Sequence, residues 1–122
     1  MFIEYNDYLI SIPKIGYVTF YRDDFDLITM QVVDKNDDIM LELHVKDEKD
    51  CDLIISKLVL NRRVRFVEIN GYIINVDIIC YLKPINTQDG FCVGVWNHEK
   101  EIIKIETSYN NYMMIVRKLQ VL

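Results

Sequence analysis

The chain contains no alanine, only four glycines and two prolines, one tryptophan and three cysteines among its 122 residues. So few glycines leave no room for a loop that cradles phosphate, and no G-x-x-x-x-G-K-S/T stretch occurs. Cys51, Cys80 and Cys92 are odd in number, far apart and free of any C-x-x-C pair, which argues against a disulfide framework and against a zinc site. Each is expected in apolar surroundings as a small hydrophobe. No apolar run approaches the roughly 18 residues that span a bilayer. The opening Met1-Phe2-Ile3-Glu4-Tyr5 has neither the basic region nor the apolar stretch of a signal peptide. The expectation is a cytoplasmic protein with no membrane partner. The missing alanine, beside abundant Ile, Asp, Asn, Lys and Tyr, reads as AT-rich coding of the kind found in low-GC bacteria, their phages and some viruses.

What is present is a repeat. Hydrophobic residues make up 51% and charged residues 27%, a globular rather than a disordered balance. Residues 2–18 and 66–82 agree at seven of 17 positions at a constant offset of 64: Phe2/Phe66, Glu4/Glu68, Asn6/Asn70, Tyr8/Tyr72, Ile10/Ile74, Ile15/Ile79 and Tyr17/Tyr81. The match continues at shrinking offsets through 28–32 over 91–95, 41–43 over 103–105 and 53–58 over 114–119. One-residue deletions in three connections, where loops tolerate them, account for the drift. The chain therefore reads as a duplicated unit, with repeat 1 at 1–60 and repeat 2 at 61–122.

Each unit predicts strand, turn, strand, strand, strand, helix. Asn70-Gly71 is a strong two-residue hairpin signal because a type I′ turn needs positive φ at both central residues; Asn6-Asp7 is its weaker twin. A second hairpin in each unit turns at 34–38 and at 97–100, with strands over 27–33, 39–45, 91–96 and 102–107. Asp47 can cap a helix whose apolar face is Cys51, Ile54, Ile55, Leu58 and Val59. Thr107 or Ser108 can cap a second, facing inward with Tyr112, Ile115, Val116 and Leu119. One such unit cannot cover both of its surfaces. The expected fold is an α+β single domain: two tandem ββββα repeats packed with pseudo-two-fold symmetry, mostly antiparallel sheet plus two helices.

The run Ile69-Asn-Gly-Tyr-Ile-Ile-Asn-Val-Asp-Ile-Ile-Cys-Tyr-Leu82, followed by strands and a terminal helix, resembles the small FlbD-like proteins that occur among flagellar genes and in phage genomes. Repeat 1 keeps Asn6 but has Ser11 and Pro13 where repeat 2 has Asn75 and Asp77. The resemblance implies a topology and no reaction. Strands followed by a helix, in tandem, are also similar to the PC4-like and Pur-like single-stranded nucleic-acid binders, and that similarity is architectural.

Nothing in the residue pattern demands catalysis. His44 and His98 stand apart from each other, one on a half-buried strand and one in a turn. The acidic stretches 23–26 and 34–38 do not fit the twelve-residue calcium loop and read as solvated turns. No enzyme activity, cofactor or metal is expected. Charge is distributed unevenly: residues 1–60 hold 6 basic and 13 acidic side chains, residues 61–122 hold 8 and 6. Arg62, Arg63 and Arg65 cluster at the junction of the repeats, and Arg117 and Lys118 lie on the last helix. With Tyr72, Tyr81 and Trp96 as stacking surfaces, these residues form a candidate binding set. In the competing reading the three arginines neutralise the acidic first repeat. The chain as a whole carries a net charge of −5, which repels phosphate backbones.

The resulting expectation is a non-catalytic interaction module with a protein partner, a phage or mobile-element accessory or inhibitor competing for basic surfaces. The alternatives are a single-stranded nucleic-acid binder and a protein that sequesters a small ligand at the junction of the repeats. A homodimer through exposed edge strands is a further expectation.

Overall fold

The computed structural model describes residues 1–120. It is α+β, as the sequence predicts. Strands β1 (Phe2–Tyr5) and β2 (Tyr8–Ser11) lead through a short 3₁₀ turn, Ile12–Lys14, into β3 (Ile15–Arg22), β4 (Ile28–Asp34), β5 (Ile39–Val45) and helix α1 (Glu48–Val59). The same order then recurs. β6 (Phe66–Ile69) and β7 (Tyr72–Asn75) precede a 3₁₀ turn, Val76–Ile78, and then β8 (Tyr81–Thr87), β9 (Gly90–Trp96), β10 (Glu101–Thr107) and α2 (Tyr109–Gln120).

Local chemistry accounts for the boundaries. Asn6 and Asp7 both have positive φ (47° and 69°), as do Asn70 and Gly71 (47° and 92°), so each first hairpin closes through the type I′ geometry that matches strand twist. Asp23 Oδ1 accepts from the N–H groups of Phe25 and Leu27, and Asp34 Oδ1 from those of Asn36 and Asp38. Asn97 Oδ1 does the same for Glu99 and Lys100. The acidic stretches are thus turn-forming side chains that satisfy their own backbone. Asp47 caps α1 by accepting from Asp50 N at 3.0 Å, and Ser108 caps α2 by accepting from Asn111 N at 3.1 Å.

The chain divides into two compact units, 1–75 and 76–122. In the first, five strands form an antiparallel sheet in the order β5-β4-β3-β7-β6, and β1-β2 is a separate two-stranded ribbon. One face of the sheet presents Val18, Ile28, Met30, Val32 and Ile73 to Cys51, Ile54 and Leu58 of α1 and to Ile3 and Ile10 of the ribbon. This is the core of the unit, and Leu58 and Ile73 are fully enclosed. On the opposite face Val33, Val67, Ile69 and Ile74 are also buried. Asn75, also buried, donates from Nδ2 to the Ile15 carbonyl at 3.0 Å, tying the end of β7 to the start of β3. The second unit is the antiparallel sheet β10-β9-β8 with α2. Val93, Val95, Ile103 and Ile105 line one face of this sheet, and Phe91 meets the rings of Tyr109 and Tyr112 at 5.8 and 5.7 Å.

The sheet of the first unit takes up β6 and β7 from the second repeat, while β1 pairs with β2. Two details depart from the sequence reading. Cys80 is exposed rather than apolar-packed, because it follows the 3₁₀ turn at the entrance to an edge strand; Cys51 is buried and Cys92 half-buried. Val59 is exposed, since α1 ends there and only Cys51, Ile54 and Leu58 of its apolar face are buried.

Candidate functional site

The basic and aromatic residues singled out in the sequence occur in both units. In the first, Arg62 and Arg63 lie on a short loop between α1 and β6. Its geometry is fixed locally: Asn61 N–H donates to the Leu58 carbonyl, and Asn61 Oδ1 accepts from Arg63 N at 3.0 Å and Val64 N at 2.8 Å. Val64 packs on the core, which turns Arg62 and Arg63 outward to solvent and leaves Arg65 half-buried. Among the described residues neither Arg62 nor Arg63 forms an ion pair. Arg22 bridges Asp26 in its own hairpin (3.4 Å) and Glu48 in the first turn of α1 (2.6 Å). Tyr72 lies on β7 with its ring 6.1 Å from that of Tyr17.

The second unit gathers Tyr81 and Trp96. They are cross-strand partners on β8 and β9, with ring centroids 5.6 Å apart and planes inclined by only 11°. Period-two alternation places them on the sheet face opposite the buried Val93 and Val95. Lys83 stands on the same face, next to Gly94, and Lys104 stands across from Gly94 on β10. Gly94 permits this arrangement: a side chain there would come within 3.0 Å of both Trp96 Nε1 and Glu101 Oε2, so its absence lets the indole lie along the strand. Among the described residues Trp96 Nε1 is buried and donates to no acceptor, a state most buried donors avoid. Lys104 Nζ lies 4.0 Å from Glu101 Oε1, and Lys83 is exposed. Arg117 and Lys118 project into solvent from the last turn of α2.

Two clefts belong to the first unit. The larger, about 420 Å³, lies between the 3₁₀ turn and the β4-β5 turn and is lined by Pro13, Lys14, Asp34, Lys35, Asn36 and Met40. No motif marks it in the sequence, because its walls come from two turns that are distant in the chain. The smaller, about 190 Å³, is lined by Phe20, Arg22, Glu48 and Cys51 among others. The Cys51 thiol there is held above its ordinary pKa by burial, reinforced by Asp52, Glu48 and Asp50, so it is a poor nucleophile. Among the described residues no three His, Cys, Asp or Glu side chains gather as a metal site. His44 and His98 are both exposed, and among the described residues no helix is long and apolar enough to cross a membrane.

Comparison with protein-family models and with curated proteins finds no match. Among solved structures, the chain is similar to one described as the LytTr DNA-binding domain of a Bacillus cereus response regulator. The two share 19% identity with a TM-score of 0.51, and the similarity covers 100% of this chain and 96% of that one. At this identity the likeness establishes a shared fold.

Proposed function

We propose that this chain is a nucleic-acid-binding module that acts by binding duplex DNA rather than by catalysis. The observation that carries the reading is the likeness of its backbone, over its whole length, to a domain described as DNA-binding. It favours the nucleic-acid alternative over a role as an acidic inhibitor of another protein. Arg62 and Arg63 supply the local chemistry. They are two outward guanidinium groups on a rigid turn, without carboxylate partners among the described residues, and suited to bidentate contact with phosphate. The net charge of −5 does not preclude this. The carboxylates are concentrated in hairpin turns and in the first turn of α1, and charges more than about 8 Å away are largely screened at physiological salt.

The Tyr81–Trp96 stack, with Tyr81 exposed and Trp96 half-buried, beside Lys83 and Lys104 favours a second reading, in which single strands lie across that face, bases on the rings and phosphates on the lysines. One titration separates the two. Fluorescence anisotropy of a labelled duplex and a labelled oligothymidine, followed over a series of salt concentrations, should show the duplex bound more tightly, with affinity falling linearly in log–log form. The double variant Arg62→Ala/Arg63→Ala should lower the slope by about two, since each phosphate contact contributes roughly 0.9. An unchanged slope would remove the arginine loop from the interface. Preference for the oligothymidine would move the interface to the aromatic face, and the absence of salt-dependent binding to either probe would overturn the nucleic-acid reading.

A further inference from the structure

The first hairpins of the two repeats, β1-β2 and β6-β7, are paired differently. β7 adds to β3, with Tyr17 opposite Ile74, Val18 opposite Ile73 and Thr19 opposite Tyr72. At the repeat offset of 64, each member of that ladder has a counterpart: Tyr81, Leu82 and Lys83 on β8, and Ile10, Leu9 and Tyr8 on β2. Three of the six are identical to the residues they replace, namely Tyr81, Ile10 and Tyr8. β8 is the outer strand of its sheet, paired with β9, and β2 is paired with β1, so each keeps one edge without a strand partner in its own unit.

Exposure differs between the two hairpins. Ile73 and Phe66, packed in the core of the first unit, are 0% and 5% exposed; their counterparts Leu9 and Phe2 are 67% and 62% exposed. Leu9 and Phe2 lie on the same face of the ribbon, opposite the buried Ile3 and Ile10. Glu4 and Ser11 share this face, and the exposed Phe2 and Leu9 between them stand beside an open edge strand, a template for strand pairing.

We propose that β8 of one copy receives β2 of a second copy, with Tyr81 opposite Ile10, Leu82 opposite Leu9 and Lys83 opposite Tyr8. This head-to-tail addition remakes between chains the junction that β3 and β7 make within one. The donor and acceptor edges differ, so the contact is heterologous: each added copy leaves one free edge of each kind, and the assembly lengthens with concentration. Pro84 sets its extent. It has no N–H to donate and occupies the place of Phe20, one residue beyond the last β3-β7 pair, so the added ladder stops at Lys83 just as the internal one stops at Thr19. A ladder of three residue pairs is short, and the association is correspondingly weak.

The test uses two full-length variants, Leu9→Cys and Leu82→Cys, each carrying Cys80→Ser and Cys92→Ser so that Cys51, which is buried, is the one native thiol left. Mixed and mildly oxidised, the two should give a disulfide-linked dimer joining one variant to the other, while each alone stays largely monomeric. In sedimentation velocity the wild-type mass should rise with concentration, and Leu9→Glu should abolish that rise without altering circular dichroism or melting temperature, since Leu9 is exposed in the single chain. Cross-linking of the Leu9→Cys variant to itself would mean symmetric β2-β2 pairing and would overturn the proposal. A strictly monomeric wild type up to millimolar concentration, with no cross-link in the mixture, would overturn it equally.

Discussion

Tyr5 shows how much one side chain can hold together. Its hydroxyl donates to Asp50 Oδ2 at 2.8 Å and accepts from Lys46 N at 2.9 Å, joining β1 to the start of α1 and to the residue after β5. Burial is the foremost cause that raises its pKa above 10.0; the Lys46 hydrogen bond acts the other way, and the hydrogen bond to Asp50 adds to the rise. Tyr5→Phe removes both bonds and should cost about 1–3 kcal/mol, read from the urea midpoint at neutral pH. The pH dependence follows from the direction of the shift. A folded pKa above the unfolded 10.0 means the fold favours the neutral phenol, so the contribution is complete below pH 10 and is lost as pH rises through the folded value. The gap between wild type and variant should therefore narrow above pH 10, and a constant gap would count against the assignment. Nothing near Tyr5 in sequence announces this role, because Asp50 lies 45 residues away. The Asn70-Gly71 turn was legible for the opposite reason: positive φ is a local demand that two adjacent residues meet by themselves.

Among the elements, β3 and β4 are in closest approach at Gly16. The register between them shifts between Ile15 and Tyr17, and a Cβ at Gly16 would lie 2.3 Å from the Asp34 carbonyl oxygen. Both sides of that contact are backbone, so neither can rotate away. Gly16→Ala should cost about 3 kcal/mol and lower the melting temperature by on the order of 10 °C in differential scanning calorimetry. An unchanged transition would show that the two strands can part without loss. Strand positions, both helices and their caps could be read from alternation, i, i+3, i+4 spacing and the residues Asp47 and Ser108. The partner of β7 could not be. Tyr72, Ile73 and Ile74 alternate equally well for any neighbouring edge, and their pairing with Tyr17, Val18 and Thr19 depends on contacts more than fifty residues apart. The candidate site divides the same way. The arginine cluster was visible as composition, whereas the outward aim of Arg62 and Arg63 depends on Asn61, and the Tyr81–Trp96 stack on the β8-β9 register and on Gly94.

For the molecule as a whole, charge is the governing asymmetry. Residues 1–75 hold nine basic and fourteen acidic side chains, residues 76–122 five of each. If the chain binds DNA, carboxylates remote from the interface oppose it through the long-range field alone. Asp24 and Asp38 are exposed on the β3-β4 and β4-β5 turns. Asp24→Asn/Asp38→Asn should raise duplex affinity by about threefold at low ionic strength, the gain vanishing near 0.3 M salt as the Debye length shortens. A gain that persists at high salt would instead mean that these turns touch the DNA. Overall acidity by itself does not decide the partner, because net charge sums over surfaces that a ligand meets one at a time.

The stretch that reads as a repeat in the sequence and the stretch that folds together do not coincide. The second repeat, as read from the sequence, begins at Asn61, whereas the first compact unit closes after Asn75, because β6 and β7 are hydrogen-bonded into the first sheet. Recombination that moved a whole repeat would tear this hairpin from its sheet and leave the edge of β3 bare. A hairpin shared in this way ties the inheritance of one half to that of the other.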